Sequence, residues 1–210
     1  MIRGKATDGI VSRYINRKIS SKITKLILKQ KLKITPNQVS LLSFIMGAAS
    51  LPLYLMRQPI IAGIVVQLSS IIDGVDGELA RALRMESEFG AFFDAILDRL
   101  ADIAILFGAT AYLTLTTSIN YETLLIALGA ISGSLMVSYI HAKSQQDLKV
   151  HPALIGRIRG IASRDVRLFI IFAGSMLGLI KETLILLFIL TYTYVIGKFV
   201  EIILHIRFTE

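Results

Sequence analysis

The sequence predicts an all-α integral membrane protein, with six transmembrane helices preceded by an amphipathic interfacial helix. Three observations predict it. The 210-residue chain is 54% hydrophobic with a mean hydropathy of +0.66. Its apolar runs are longer than a soluble core requires. Its cations stand beside those runs rather than on one polar face. This pattern excludes a soluble enzyme, and the formal net charge of +8 points to an anionic membrane surface rather than to nucleic acid. With no cysteine, disulfides and thiolate metal ligands are excluded. Residues 1–35 are charged throughout and lack an apolar h-region, so they do not read as a cleavable signal peptide.

Residues 1–35 read as a cytosolic juxtamembrane helix. Val11, Ile15, Ile19, Ile23 and Ile27 recur every four residues while Arg13, Arg17, Lys18, Lys22, Lys25 and Lys29 occupy the other faces, which suits a helix lying among lipid headgroups. In the stretch ITPNQVS, Pro36 ends that helix and Thr35 or Asn37 caps the next. Residues 36–210 form the membrane domain, with spans expected near 37–57, 60–83, 89–116, 121–142, 165–181 and 183–205. Ten Lys and Arg lie in 1–35, and Lys143, Lys149, Arg157, Arg159 and Arg164 lie in the 143–164 loop, against only Arg57 and Lys181 in the opposite connections. Both termini and that loop are therefore expected in the cytosol. Gly129 with Gly133, and Gly174 with Gly178, form small-xxx-small pairs suited to close helix packing.

The informative residues are carboxylates inside apolar sequence: Asp73, Asp76, Asp94, Asp98 and Asp102. A charge near the bilayer centre costs about 2.5–3.5 kcal/mol, so four uncompensated ones cost roughly 10 kcal/mol. Asp73 and Asp76 are three apart and Asp94 and Asp98 four apart, so each pair shares a helix face. In the expected topology the pairs lie at comparable depth on adjacent antiparallel helices. Only Arg81, Arg84 and Arg99 stand nearby, and four converging carboxylates would otherwise repel one another and protonate. An all-oxygen site, with His141, His151 and His205 distant in sequence, suits Mg²⁺ or Mn²⁺ better than Zn²⁺. Gly77, Ala80 and Gly90 leave the wall beside the carboxylates without bulk, and Arg81 brings a fixed cation suited to a phosphate.

The spacing Asp73-x-x-Asp76-Gly77-x-x-Ala80-Arg81, then eight residues, then Gly90-x-x-x-Asp94-x-x-x-Asp98 resembles the complete signature of the CDP-alcohol phosphotransferases. The resemblance implies transfer of a substituted phosphate from a CDP-alcohol donor to an acceptor hydroxyl, with release of CMP, in a homodimer. It implies that Asp73, Asp76, Asp94 and Asp98 hold two divalent ions on the donor diphosphate, with Asp98 also the general base. Gly77 and Ala80 would make room for cytidine and Arg81 would contact phosphate, with Asn37 a further nucleotide-site candidate. Asp102 continues the i+4 series outside the signature and is expected to pair with Arg99 or Arg81.

The stretches DGIVSRYINRKIS, ITPNQVS and SRDVRLFII resemble the family's branch that makes inositol phosphodiesters, whose membrane domain is often joined to a soluble cytidylyltransferase. The 210 residues contain no such domain, so a separate or fused cytidylyltransferase is the implied partner. Lys143, Arg157, Arg159, Arg164 and Arg167 gather at the cytosolic ends of spans four and five. Lys143, Arg164 and Arg167 are the candidate acceptor ligands, which points to a phosphorylated polyol, with inositol 1-phosphate first and glycerol phosphate or serine as alternatives. Two other classes fit the aspartates alone: a membrane prenyltransferase and a divalent-cation transporter.

Overall fold

Pro36 and Pro59 each open a helix at the one position where a missing backbone N–H is harmless, and the chain alternates such starts with short polar turns. The computed structural model describes residues 9–117, 120–156, 158 and 160–207. Its helices are α1 (Arg17–Lys29), α2 (Pro36–Leu55), α3 (Pro59–Leu83), α4 (Glu88–Thr116), α5 (Tyr121–Asp147), α6 (Arg164–Leu177) and α7 (Ile180–Arg207). A π-helical turn at Ser12–Asn16 leads into α1, and a 3₁₀ turn at Pro152–Leu154 lies between α5 and α6. No strand occurs among the described residues. Thr35 caps α2 in a capping box with Gln38, Ser87 caps α4 and Asn120 caps α5.

Helix α2 packs against both α3 and α4, α6 lies against α3, and α7 lies against α5. Two contacts fix the far end of the molecule: Arg57 Nη2 donates to the Leu115 carbonyl at 3.1 Å, and Lys181 pairs with Glu122 at 3.1 Å. The apolar core runs through Tyr54, Val66, Ile105, Leu113, Leu168 and Leu184. Gly129 and Gly133 pack as their spacing predicts, for a Cβ would stand 2.7 Å from the Phe188 ring and 2.1 Å from Thr191 Oγ1. The second pair divides. Gly174 meets Thr183 closely, but Gly178 is the left-handed C-cap of α6 at φ +71°, a conformation that glycine adopts at little steric cost.

Among the described residues four helices, α2, α3, α5 and α7, are long and apolar enough to cross a membrane. Helix α4 has the length, at 29 residues, but carries the charged cluster. Helix α6 stops at Leu177, short of the expected 165–181 span, and its 14 residues rise only about 21 Å.

The chain before α2 carries a polar docking face that its expected apolar stripe did not reveal. Ile15 and Ile19 of the apolar stripe face outward, at 39% and 43% exposure, while Asn16, Ser20 and Thr24 are buried. These three polar residues share a face at i, i+4 and i+8, and that face meets α3. Asn16 bonds Ser70 and Gln67 there, and the target of Ser20 and Thr24 is Glu78, fully buried on α3. Glu78 Oε1 receives Arg17 Nη1 at 2.8 Å and Ser20 Oγ at 2.7 Å, and Oε2 receives Thr24 Oγ1 at 2.9 Å.

Candidate active site

The last turns of α3 and the first turns of α4 bring Asp73, Asp76 and Asp94 together, with one carboxylate oxygen from each lying within 4.8 Å of the others. Helix α2 supports them: the Ser40 hydroxyl donates to Asp76 Oδ2 while the Gly77 amide donates to Oδ1. Asp73 Oδ1 and Asp94 Oδ1 are buried with no hydrogen-bond partner among the described residues. A buried carboxylate oxygen left without a partner is costly. An all-carboxylate set with such oxygens is what a hard divalent cation takes up, so these residues fit a metal.

Asp98 stands beside this trio rather than in it. Arg164, at the start of α6, places Nη1 2.8 Å from Asp98 Oδ1 and 2.9 Å from Asp73 Oδ1, while its Nε donates to Asp102 Oδ1 at 2.9 Å. The contact with Asp73 is electrostatic, without hydrogen-bond alignment. Asp102 is only 4% exposed and receives Arg167 Nη2 at 2.9 Å as well. The expected pairing of Asp102 is thus corrected in part. Arg99 reaches it at 3.8 Å, its main partners are Arg164 and Arg167, and Arg81 lies elsewhere. Two arginines from α6 supply the charge compensation that neighbouring sequence lacked.

Two cavities flank the carboxylates. The first, about 220 Å³, is lined by Asn37, Gly77, Ala80, Arg81, Asp76 and Asp94, among others. All four nucleotide-site candidates therefore share one space with two of the aspartates. Arg81 Nη2 is buried there with no hydrogen-bond partner among the described residues, and its Nη1 lies 3.3 Å from where a Cβ on Gly77 would be. A larger residue at 77 would displace the guanidinium. Asn37 does not cap α2, which leaves its side chain to this cavity; its Oδ1 would stand 3.3 Å from a Cβ on Gly90. Glu86 and Ser87 of the α3–α4 turn close the rim.

The second cavity, about 240 Å³, is lined by Asp73, Gly74, Asp98, Arg99, Arg164 and Asp165 together with residues of the N-terminal segment. Of the three acceptor candidates only Arg164 reaches it. Arg167 is 3% exposed and held by Asp102 and the Ala162 carbonyl. Lys143 is an exposed partner of Asp147 at 2.7 Å and lines neither cavity. Arg157 and Arg159 lie outside the described residues. Sequence reasoning also missed Glu78, inside the motif itself, although the hydroxyls of Ser20 and Thr24 one turn apart signalled a buried acceptor.

A match to the CDP-alcohol phosphatidyltransferase family covers residues 33–206. The chain belongs to that family. The prenyltransferase and cation-transporter readings fall with this assignment. Among curated relatives, the Bifunctional IPC transferase and DIPP synthase of Thermococcus kodakarensis is 46% identical over 63% of this chain and 29% of its own length. The Archaetidylinositol phosphate synthase of Pyrococcus horikoshii is 35% identical over 81% of this chain and 84% of its own. A crystal structure of Mycobacterium tuberculosis phosphatidylinositol phosphate synthase in complex with manganese and citrate superposes with a TM-score of 0.69 at 22% identity, covering 86% of this chain and 87% of that one. The chain spans only 29–43% of the length of the bifunctional relatives it matches.

Proposed function

We infer that this protein transfers a substituted phosphate from a CDP-alcohol to the hydroxyl of a phosphorylated polyol and releases CMP. The observation that carries the reading is the placement of the carboxylates between two cavities: Asp76 and Asp94 face the one with Arg81, and Asp73 and Asp98 face the one with Arg164. A donor diphosphate bound on Arg81 and an acceptor phosphate bound on Arg164 would meet across that layer. Asp73, Asp76, Asp94 and Asp98 would hold two Mg²⁺, or Mn²⁺, which when bound would offset the diphosphate charge and that of the leaving CMP. Asp98, beside the acceptor cavity, would take the proton from the attacking hydroxyl. Gly77 and Ala80 leave the cytidine its room, and Asn37 stands opposite as a polar contact.

Inositol 1-phosphate is the first choice of acceptor, supported by the relatives named Archaetidylinositol phosphate synthase. A lipid donor of the CDP-diacylglycerol or CDP-archaeol type and CDP-inositol are the candidate donors. In this reading the chain is a homodimer in the cell membrane with six spans, counting α4 and α6. Residues 1–35 form a headgroup-level helix, residues 36–210 the membrane domain, and both termini and the site opening are cytosolic. A cytidylyltransferase, separate or fused, would supply the donor.

The test is CMP release from purified protein with Mg²⁺ and a panel of CDP-alcohols crossed with inositol 1-phosphate, free inositol, glycerol 3-phosphate and serine. The reading expects turnover with a phosphorylated polyol. Equal turnover of the unphosphorylated alcohols would contradict it. Asp98→Asn should lower turnover by about 10²–10⁴-fold, with donor affinity changed far less; lost donor affinity at unchanged turnover would remove Asp98 from the base role.

A further inference from the structure

The second cavity has a wall that the family match leaves out. That match begins at residue 33, whereas Gly9, Ser12 and Asn16 line the cavity together with Arg164 and Asp165. Two fastenings hold the wall. Asp165 Oδ2 accepts from the Ser12 backbone N–H at 2.5 Å, and Gly9 runs so close that a Cβ would stand 2.1 Å from the Asp165 carboxylate. Four residues on, Asn16 Nδ2 donates to Ser70 Oγ at 3.0 Å and Asn16 Oδ1 accepts from Gln67 Nε2 at 2.9 Å. The N-terminal segment is thus bonded to α3 and α6 on either side of the space.

These fastenings use a backbone amide and a buried side-chain amide. Neither fastening uses the Ser12 hydroxyl or Asp165 Oδ1. In the same lining, Arg164 Nη2 and Arg99 Nε are buried without hydrogen-bond partners among the described residues. The cavity therefore holds two kinds of group side by side. Unpartnered guanidinium nitrogens suit a phosphate. A carboxylate and a hydroxyl suit ring hydroxyls, each of which needs an acceptor once taken from water. At about 240 Å³ the space is below the roughly 300–1,000 Å³ of drug-sized pockets, which fits one small polar molecule.

We propose that residues 9–16 and Asp165 form the specificity wall of the acceptor site: Asp165 and Ser12 bond the ring hydroxyls of a phosphorylated cyclic polyol whose phosphate lies on Arg164 and Arg99. This rests on the transferase reading above and adds that the segment before the membrane domain selects the substrate.

The test compares myo-inositol 1-phosphate with glycerol 3-phosphate as acceptors for the full chain, by CMP release. Both carry the phosphate and only the first carries ring hydroxyls. Ser12→Ala keeps the amide that Asp165 holds, and Asp165→Asn keeps an oxygen to accept it, so neither variant removes the fastening. Each should lower the kcat/KM ratio of inositol 1-phosphate over glycerol 3-phosphate, about tenfold for Ser12→Ala and about ten- to a hundredfold for Asp165→Asn. The loss should fall on the acceptor KM. Equal effects on both acceptors, or none, overturn the specificity wall and leave the transferase reading intact. Wild-type protein that releases CMP with neither phosphorylated acceptor overturns both.

Discussion

The two ends of the helices are held in different ways. At the far end and through the middle, helices meet by shape: Phe188 and Thr191 of α7 fill the gaps that Gly129 and Gly133 leave on α5, and a polar link, Tyr54 Oη to Ser175 Oγ at 2.6 Å, crosses the apolar core. At the charged end they meet by paired charge. Arg164 joins Asp73, Asp98 and Asp102, and Glu78 gathers Arg17, Ser20 and Thr24. Shape is forgiving, because a core can relax around a changed volume. A buried charge whose partner is removed has no such recourse. The comparison implies that substitutions at the far end change stability alone, while those at the charged end change chemistry, stability or both.

The largest effect should come from the carboxylate trio. Asp73→Asn or Asp94→Asn should abolish Mg²⁺-dependent CMP release with expression and folding retained, because a neutral amide binds a hard cation far more weakly. Near-normal turnover in either variant would remove the metal site. Next in size is Glu78→Ala, which removes the acceptor that Arg17 shares with the hydroxyls of Ser20, Ser21 and Thr24. A loss of about 3–5 kcal/mol is expected, read as a fall in Tm in detergent or nanodiscs. An unchanged Tm would mean that α1 is held by its apolar residues instead. Smaller still is Gly133→Val at the far end, where the added carbons meet Thr191. It should cost about 1–3 kcal/mol with no change in either substrate KM, and a shifted KM would break the division between the two ends.

How much of this was legible follows from the same contrast. Asp73, Asp76, Asp94 and Asp98 stood out because charge is rare in apolar helices, and their helical spacing placed them on shared faces. Thr35 and Pro36 marked the start of α2 by local rules. Arg164 was legible as a cation at a helix start, but not as the partner of three aspartates, since sequence spacing says nothing of α6 lying beside α3. Arg167 lies one turn further into the same helix and so turns to Asp102 and away from the cavity. The isoleucine stripe of the N-terminal segment drew attention to the apolar face alone. Ile23 and Ile27 of that stripe pack beside Val75 and Leu79, but the polar face also docks: Ser20 and Thr24 bond a glutamate more than fifty residues away, and Asn16 bonds Ser70 and Gln67. Gly178 matched a packing motif by spacing, yet it serves as a helix end.

The central claim is that donor and acceptor occupy separate cavities on opposite sides of the carboxylates. The most direct test measures both substrate KM values in Gly77→Leu and in Arg164→Ala. Gly77→Leu, which crowds Arg81, should raise the donor KM and leave the acceptor KM near its wild-type value. Arg164→Ala should do the reverse, raising the acceptor KM about 10–150-fold, the equivalent of about 1.5–3 kcal/mol for a charge-assisted hydrogen bond. If either substitution raises both KM values together, or if Arg164→Ala moves only the donor KM, the two cavities are one site and the account is contradicted.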